Sequence, residues 1–420
     1  MIDSVLKNAD PIVASALDRA LSGKDISVQE AVELFDSTGL EMNLVVLVAD
    51  ELRRRSIGDI VTYVVNRNIN FTNVCIKQCG FCAFSRDFRN EEGYFLPTEE
   101  IVRRAREAAD LGATEVCIQA GLPPKMDGNL YPDICKAIKK ELPGIHIHAF
   151  SPEEVLYGSI RSETPLPEYL RVLKEAGVGS LPGTAAEILD QSLRDIISPG
   201  RISVQDWVAV IKQAHRLGIP TTSTIMYGHI ETSRQKAEHI SLLREIQKET
   251  HGFTEFVPLS FVHSEAPMYI RGTVPKIRAG ADGNEVTKMH AVSRMMLNNY
   301  LPNIQVSWVK EGARMSQLLL AAGVNDFGGT LINESISTAA GAQHGQLMKP
   351  KEIRQLIRSA GRTPAQRSTA YKILKVFSDE KDDHLSPLDS ADASEFGSYH
   401  QLIKLDKFSY KERKNSISSI

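Results

Sequence analysis

Cysteine is scarce in this chain. There are five in 420 residues, three of them between Cys75 and Cys82. Such usage argues against a disulfide framework and fits a reducing compartment. An excess of charge of one sign is also lacking. The 49 basic and 52 acidic residues leave a net charge of −3, so nothing marks a nucleic-acid footprint. No apolar run approaches the roughly 18 residues that a membrane span needs. Met1 to Pro11 carries acidic residues and no apolar signal core, which points to a cytoplasmic protein. No repeat of solenoid period is present. What remains is an ordinary soluble composition, 42% hydrophobic, with ample chain for a large core.

The exception to this plainness is Asn73-Val74-Cys75-Ile76-Lys77-Gln78-Cys79-Gly80-Phe81-Cys82. The spacing is C-x3-C-x2-C, with an aromatic before the last cysteine. A loop this short can close three thiolates around one inorganic cluster, leaving one iron of a 4Fe–4S cube without a protein ligand. A zinc site would need a fourth ligand, and no further Cys or His in the loop offers one. Cys117 sits in an apolar strand-like run and Cys135 in a helical pattern, and both read as core thiols.

Around this loop the chain has a regular rhythm. Residues 1–60 read as an N-terminal helical segment, with Ser27-Val28-Gln29-Glu30 as a capping box. Val61–Val65 is a short lead-in strand. Ile69, Val116, His146, Val178, Thr221, Phe256, Ile304 and Asn325 then mark eight strands, separated by helical stretches. One stretch, Ala185 to Arg194, reads as a helix with Glu187 in its first turn. Ile304–Val309 reads as a full strand. Repeated strand–helix alternation implies a parallel sheet, and eight units imply an α/β fold, a closed (β/α)8 barrel over 61–377 with its site at the strand C-termini. Residues 378–420 form a C-terminal extension whose Asp, Ser and Lys content over Asp379–Ser394 reads as flexible, while Leu402–Tyr410 reads as either a docking segment or part of a disordered tail. Asp87, Arg89 and Glu92 read as a solvated charge run.

The cysteine spacing and its aromatic resemble the radical S-adenosylmethionine superfamily. Asn68 to Cys75, Cys79 to Ser85, His146 to Glu153, Pro182 to Leu189, Asn325 to Thr330 and Asn333 to Ser337 together resemble the second subunits of FO synthases, which serve coenzyme F420 biosynthesis. The resemblance covers about Val61 to Tyr371. It implies a 4Fe–4S cluster on Cys75, Cys79 and Cys82, and S-adenosylmethionine bound at the open iron through its amino and carboxylate groups. Electron transfer from the cluster would release a 5′-deoxyadenosyl radical. It implies L-tyrosine and 5-amino-6-(D-ribitylamino)uracil as substrates, a 4-hydroxybenzyl transfer to C5 of the uracil, and 2-iminoacetate as the second product. An electron donor is needed. The chain has a single cysteine triad, so the ring-closing FO synthase subunit 1 must be a separate radical enzyme.

The same resemblance suggests site residues. Phe81 would lie by the adenine of S-adenosylmethionine. Gln119 and Gly121 would meet its amino end, although the family's expected glycine pair is here Ala120-Gly121. Glu187 would hold the ammonium or ribose, and Arg194 the carboxylate. His148, with Ser151, follows the third strand. Tyr227 and His229 follow the fifth, His263 the sixth, and Asn333 with Glu334 the eighth. A barrel gathers such strand ends over one cavity, so these become candidates for the uracil edge and ribityl hydroxyls. His146 and His148, two residues apart, would share a face. Two other readings stay open: a futalosine-pathway enzyme of menaquinone synthesis on the same barrel, or a non-catalytic iron–sulfur electron carrier.

Overall fold

Residues 60–69 form one bent strand with a break at Val65: β1 (Ile60–Val64) and β2 (Asn66–Ile69). Its side chains are almost all buried, as a strand covered on both faces requires. In the computed structural model, which describes residues 9–383 and 385–410, a ring of parallel pairings starts here. β2 pairs with β3 (Glu115–Ile118), then come β4 (His146–Ala149) and β5 (Val178–Ser180). A bridge from Leu181 to Thr221 leads to β6 (Thr221–Tyr227), which pairs with β7 (Phe253–Ser260). Parallel bridges Phe256 to Ile304 and Gln305 to Asp326 carry the ring to β8 (Asp326–Gly329), and Ile332 bridges back to Arg67. The eight-unit barrel is closed.

Helices such as Thr98–Asp110, Leu130–Glu141, Val204–Arg216, Ser233–Thr250 and Gly283–Leu297 cover the outside. The helices Val28–Asp36 and Gly39–Ile57 pack against the last two of these, closing one flank. The expected capping box is in place: Glu30 N–H donates to Ser27 Oγ at 3.2 Å and Ser27 N–H to the Glu30 carboxylate at 2.6 Å.

Three expectations need correction. The strand expected over Ile304–Val309 shrinks to the two bridges at Ile304 and Gln305. The chain turns early because the Trp308 indole donates to the Gly329 carbonyl of β8 at 2.8 Å, and helical structure runs from Trp308 to Leu319 with a break at Gly312, where φ is 75° and ψ 166°. The helix expected from Ala185 begins only at Gln191, because Ala185 and Glu187 take left-handed φ angles of 61° and 43°. Finally, the described part of the extension is packed. Leu388, Tyr399, Leu402 and Phe408 are buried. The Tyr399 ring lies 5.6 Å from Phe84, and Phe95 N–H donates to Phe408 O at 2.8 Å. Spaced apolar residues outweigh the polar average of the stretch.

Before the extension, β9 (Thr363–Arg367) adds to β1 in parallel, and β10 (Ile373–Val376) folds back on it. This hairpin places Arg367 and Tyr371 inside the barrel.

The core buries several histidines in neutral form. Burial pushes His148, His215 and His290 down to about 4 and His239 to about 3. The unfolded chain binds these protons near 6.5, the folded chain only well below. The stability they contribute is therefore complete above about pH 6.5 and is lost as pH falls towards 4, each group contributing up to about 1.4 kcal/mol per pH unit. Burial raises Glu154 to about 7 and also raises Glu255, Glu311 and Glu334, contributions of opposite sign. We expect the imidazole resonances of these four histidines to keep their neutral positions down to about pH 5; titration near 6.5 would contradict neutral buried histidines.

Candidate active site

The cysteine loop leaves the C-terminal end of the first barrel strand and is held from three sides. Ile76 N–H donates to Leu122 O at 2.8 Å, in the turn after β3. Gly80 N–H donates to Ile197 O at 2.9 Å, and Met268 N–H donates back to Gly80 O at 2.7 Å. A Cβ on Gly80 would sit 2.9 Å from Met268 Cβ, so the loop needs glycine there. Gly121 is required in the same way: a Cβ would lie 2.3 Å from Val74 O. Its neighbour Ala120 tolerates a methyl and donates its N–H to the Glu154 carboxylate at 2.9 Å. The glycine that the close approach demands is thus the one present.

The loop stands over a cavity of about 390 Å³ that runs down the barrel. Cys75, Phe81, Cys82, Gln119, Gly121 and Glu187 line its mouth, and His148 lines it deeper in. Arg201, which also lines it, ties the mouth together. It donates to Cys79 Sγ at 3.1 Å, pairs with Glu187 at 3.0 Å, and lies 5.4 Å over the Phe81 ring. Sequence reasoning missed Arg201, because no local pattern relates it to a cysteine 122 residues earlier. Gln119 accepts from Thr184 Oγ1 at 3.1 Å.

Other expected residues are engaged elsewhere. Arg194 donates to the carbonyls of Ala186 and, at 2.6 Å, Ile202. It braces the left-handed Ala185–Glu187 turn rather than offering its guanidinium to the cavity. Asn333 accepts from Arg67 at 2.5 Å and donates to Phe396 O and Gly397 O at 2.8 and 3.1 Å, pinning the C-terminal extension. His229 is fully buried, bonded to Met226 O at 3.1 Å and beside Glu231 at 3.1 Å. His263 packs edge-on to Tyr269, with ring centroids 4.7 Å apart. Tyr227 is buried, and its hydroxyl has no partner among the described residues. None of these five lines the cavity.

Deeper in, the cavity becomes polar. His148 Nδ1 and His146 Nε2 both meet Ser180 Oγ at 2.7 Å. Asn66 donates to Glu115 at 2.8 Å. At the base, Arg367 grips Asp326 through two bonds of 2.5 and 2.9 Å and reaches Glu255 at 3.2 Å, with its guanidinium 4.0 Å from the Tyr371 ring. Sequence reasoning had not singled out this group. Cys117, expected as a core thiol, lines the cavity, and burial pushes its thiol up.

The residues present suit a cluster. All three loop cysteines are free of disulfides. Cys75 Sγ accepts from Lys77 N–H at 3.4 Å, and Cys79 accepts from Arg201. Donors of this kind stabilise sulfur that carries negative charge. Burial pushes the Cys79 thiol up to about 11 in the metal-free protein, so thiolate there depends on a bound metal and on Arg201. Among the described residues no three His, Cys, Asp or Glu side chains meet as a single metal ion requires. No helix among them is long and apolar enough to cross a membrane.

Comparison with known proteins agrees with this geometry. A model of the Radical SAM superfamily matches residues 69–243, and one of the CofH/MqnC C-terminal region matches 250–380. The barrel resembles the FeFe-hydrogenase maturase HydG of Carboxydothermus hydrogenoformans, with a TM-score of 0.66 at 17% identity over 88% of this chain and 83% of that one. It also resembles methylornithine synthase, with a TM-score of 0.65 at 20% identity over 83% and 97%. These likenesses concern the fold. In sequence the chain is 51% identical to the 5-amino-6-(D-ribitylamino)uracil--L-tyrosine 4-hydroxyphenyl transferase of Methanocaldococcus jannaschii, over 84% of this chain and 98% of that protein. It is 49% identical to the protein of the same name from Methanothermobacter thermautotrophicus, over 83% and 94%. The chain belongs to the radical S-adenosylmethionine family of 5-amino-6-(D-ribitylamino)uracil--L-tyrosine 4-hydroxyphenyl transferases.

Proposed function

We propose that this chain joins the 4-hydroxybenzyl group of L-tyrosine to C5 of 5-amino-6-(D-ribitylamino)uracil and releases 2-iminoacetate. The observation that carries the reading is the cysteine loop opening onto one cavity with a polar interior. A cluster on Cys75, Cys79 and Cys82 and bound S-adenosylmethionine would supply a hydrogen-abstracting radical at the mouth. The chain's own part is positioning. Phe81, Gln119, Gly121 and Glu187 line the cavity beside the cysteine loop, which supports their use in holding the cofactor. His148 offers an imidazole edge of the kind that uracil and ribityl hydroxyls need. The barrel must keep water from reactive species, and it must bring C5 to within roughly 3–3.5 Å of the benzyl carbon.

An electron donor and a separate ring-closing enzyme complete the route to FO. The names of the relatives support this reading over a futalosine-pathway enzyme. An electron carrier would have no use for a cavity of about 390 Å³. The test is an anaerobic incubation of reduced holoenzyme with S-adenosylmethionine and both substrates. We expect the hydroxybenzyl adduct by mass spectrometry and no fluorescent FO until the partner enzyme is added. FO from this chain alone, in a preparation free of the partner, would refute the division of labour.

A further inference from the structure

Three cations line the cavity: Arg201, Arg367 and Lys310. The first two are satisfied by protein, Arg201 by Glu187 and Cys79, and Arg367 by Asp326 and Glu255. Lys310 is different. It follows the Ile304–Gln305 bridges, in the helical turn that starts at Trp308 and breaks at Gly312, at the C-terminal end of its barrel strand. It is half-buried on the cavity wall, and its ammonium makes no hydrogen bond or ion pair among the described residues. Glu334, Glu311 and Glu187 act on it only through space. Glu334 is already engaged, accepting Ser337 N–H at 2.9 Å.

An ammonium left unpaired on a cavity wall is costly unless a ligand completes it. The reactants bring two carboxylates to this space, those of S-adenosylmethionine and tyrosine. The first is taken up by the open iron in the superfamily's binding mode. The uracil is uncharged. Lys310 also sits at the right level. It follows Gln305, whose side chain donates to the Glu255 that Arg367 reaches, and so lies on the C-terminal side of that base. The head group of the amino acid must lie at that level, because hydrogen abstraction starts there. Glu334 lines the same cavity, so the mouth presents both signs of charge, as a zwitterion requires.

We infer that Lys310 binds the α-carboxylate of the amino-acid substrate and so fixes its amino group toward the cofactor. This rests on the proposed use of tyrosine.

The test compares tyrosine with tyramine, which lacks only the carboxylate. Equilibrium binding of each is measured to anaerobic holoenzyme held with S-adenosylhomocysteine, for the wild type, Lys310→Met and Lys310→Arg. The wild type should prefer tyrosine by about 10- to 100-fold, the range of a charge-assisted contact. Lys310→Met should bind tyrosine as weakly as tyramine, with tyramine unchanged, and Lys310→Arg should restore most of the preference. S-adenosylmethionine affinity should be the same in all three proteins. An equal loss for tyrosine and tyramine would overturn the assignment, because it would mark a general disturbance of the cavity. A loss confined to S-adenosylmethionine would overturn it by giving Lys310 to the cofactor. A wild type that binds no tyrosine would overturn it together with the proposed function, whereas an unchanged tyrosine preference in Lys310→Met would overturn it alone.

Discussion

Cys79→Ala should abolish both the cluster and product formation. A site-differentiated cube has three protein thiolates, and two cannot hold it. Cys79 has a second tie to the site: Arg201 donates to its sulfur and pairs with Glu187, so losing the sulfur also disturbs the side chains over the mouth. Cys75→Ala and Cys82→Ala should behave alike, since both thiols line the cavity. Cys135→Ala should leave cluster and activity intact, because that thiol is buried under the helix Leu130–Glu141. Cys117→Ala should keep the cluster. Wild-type reconstitution should yield about four irons and four sulfides per chain. The visible absorption of the cluster and iron content per chain are the readouts. A Cys79→Ala protein with full cluster absorption would remove the basis of the account.

The largest stability effect is expected at the other end of the barrel. Arg367 is 3% exposed and balances two buried carboxylates, Asp326 and Glu255. Removing one partner of such a group leaves charge without compensation, at a cost of about 3–5 kcal/mol. Arg367→Met should therefore lower stability by that amount in urea unfolding. The loss should depend on pH. Burial already raises Glu255, and Arg367 opposes it. Without Arg367, the folded-state carboxyl rises further above its unfolded value, so stability falls as pH rises. The destabilisation should be larger at pH 8 than at pH 6. A cost below about 1 kcal/mol at both pH values would mean that the C-terminal hairpin does not hold the base of the barrel.

Much of this was legible in the residues. The cysteine loop is local, so its spacing alone exposes it. The strands announce themselves through β-branched runs between helical stretches. What escaped depends on contacts between distant residues. Ala185-Ala186-Glu187-Ile188-Leu189 has good helix formers, yet Gly183 presses against Thr222 O, where a Cβ would come to 2.0 Å, and Arg194 holds Ala186 O. Tertiary packing overrides propensity there. Asn333 and His229 sit at strand ends, where a barrel usually keeps functional groups, but both are bonded into the fold. Arg201 and Arg367 had no local signal, since each is defined by partners from other barrel units. The polar stretch after Phe377 concealed Leu388 and Tyr399, too widely spaced to form a pattern, while Leu402 and Phe408 dock as one reading of Leu402–Tyr410 allowed.

The central claim is transfer of the tyrosine side chain by Cα–Cβ cleavage. A radical at the tyrosine amino nitrogen weakens that bond, because scission forms a C=N bond and a resonance-stabilised benzyl radical. The most direct measurement uses tyrosine labelled with heavy carbon at Cβ in one run and at Cα in another, with mass spectrometry of both products. The account predicts the Cβ label in the uracil adduct and the Cα label in glyoxylate, the hydrolysis product of 2-iminoacetate. A Cα label retained in the uracil adduct would contradict it.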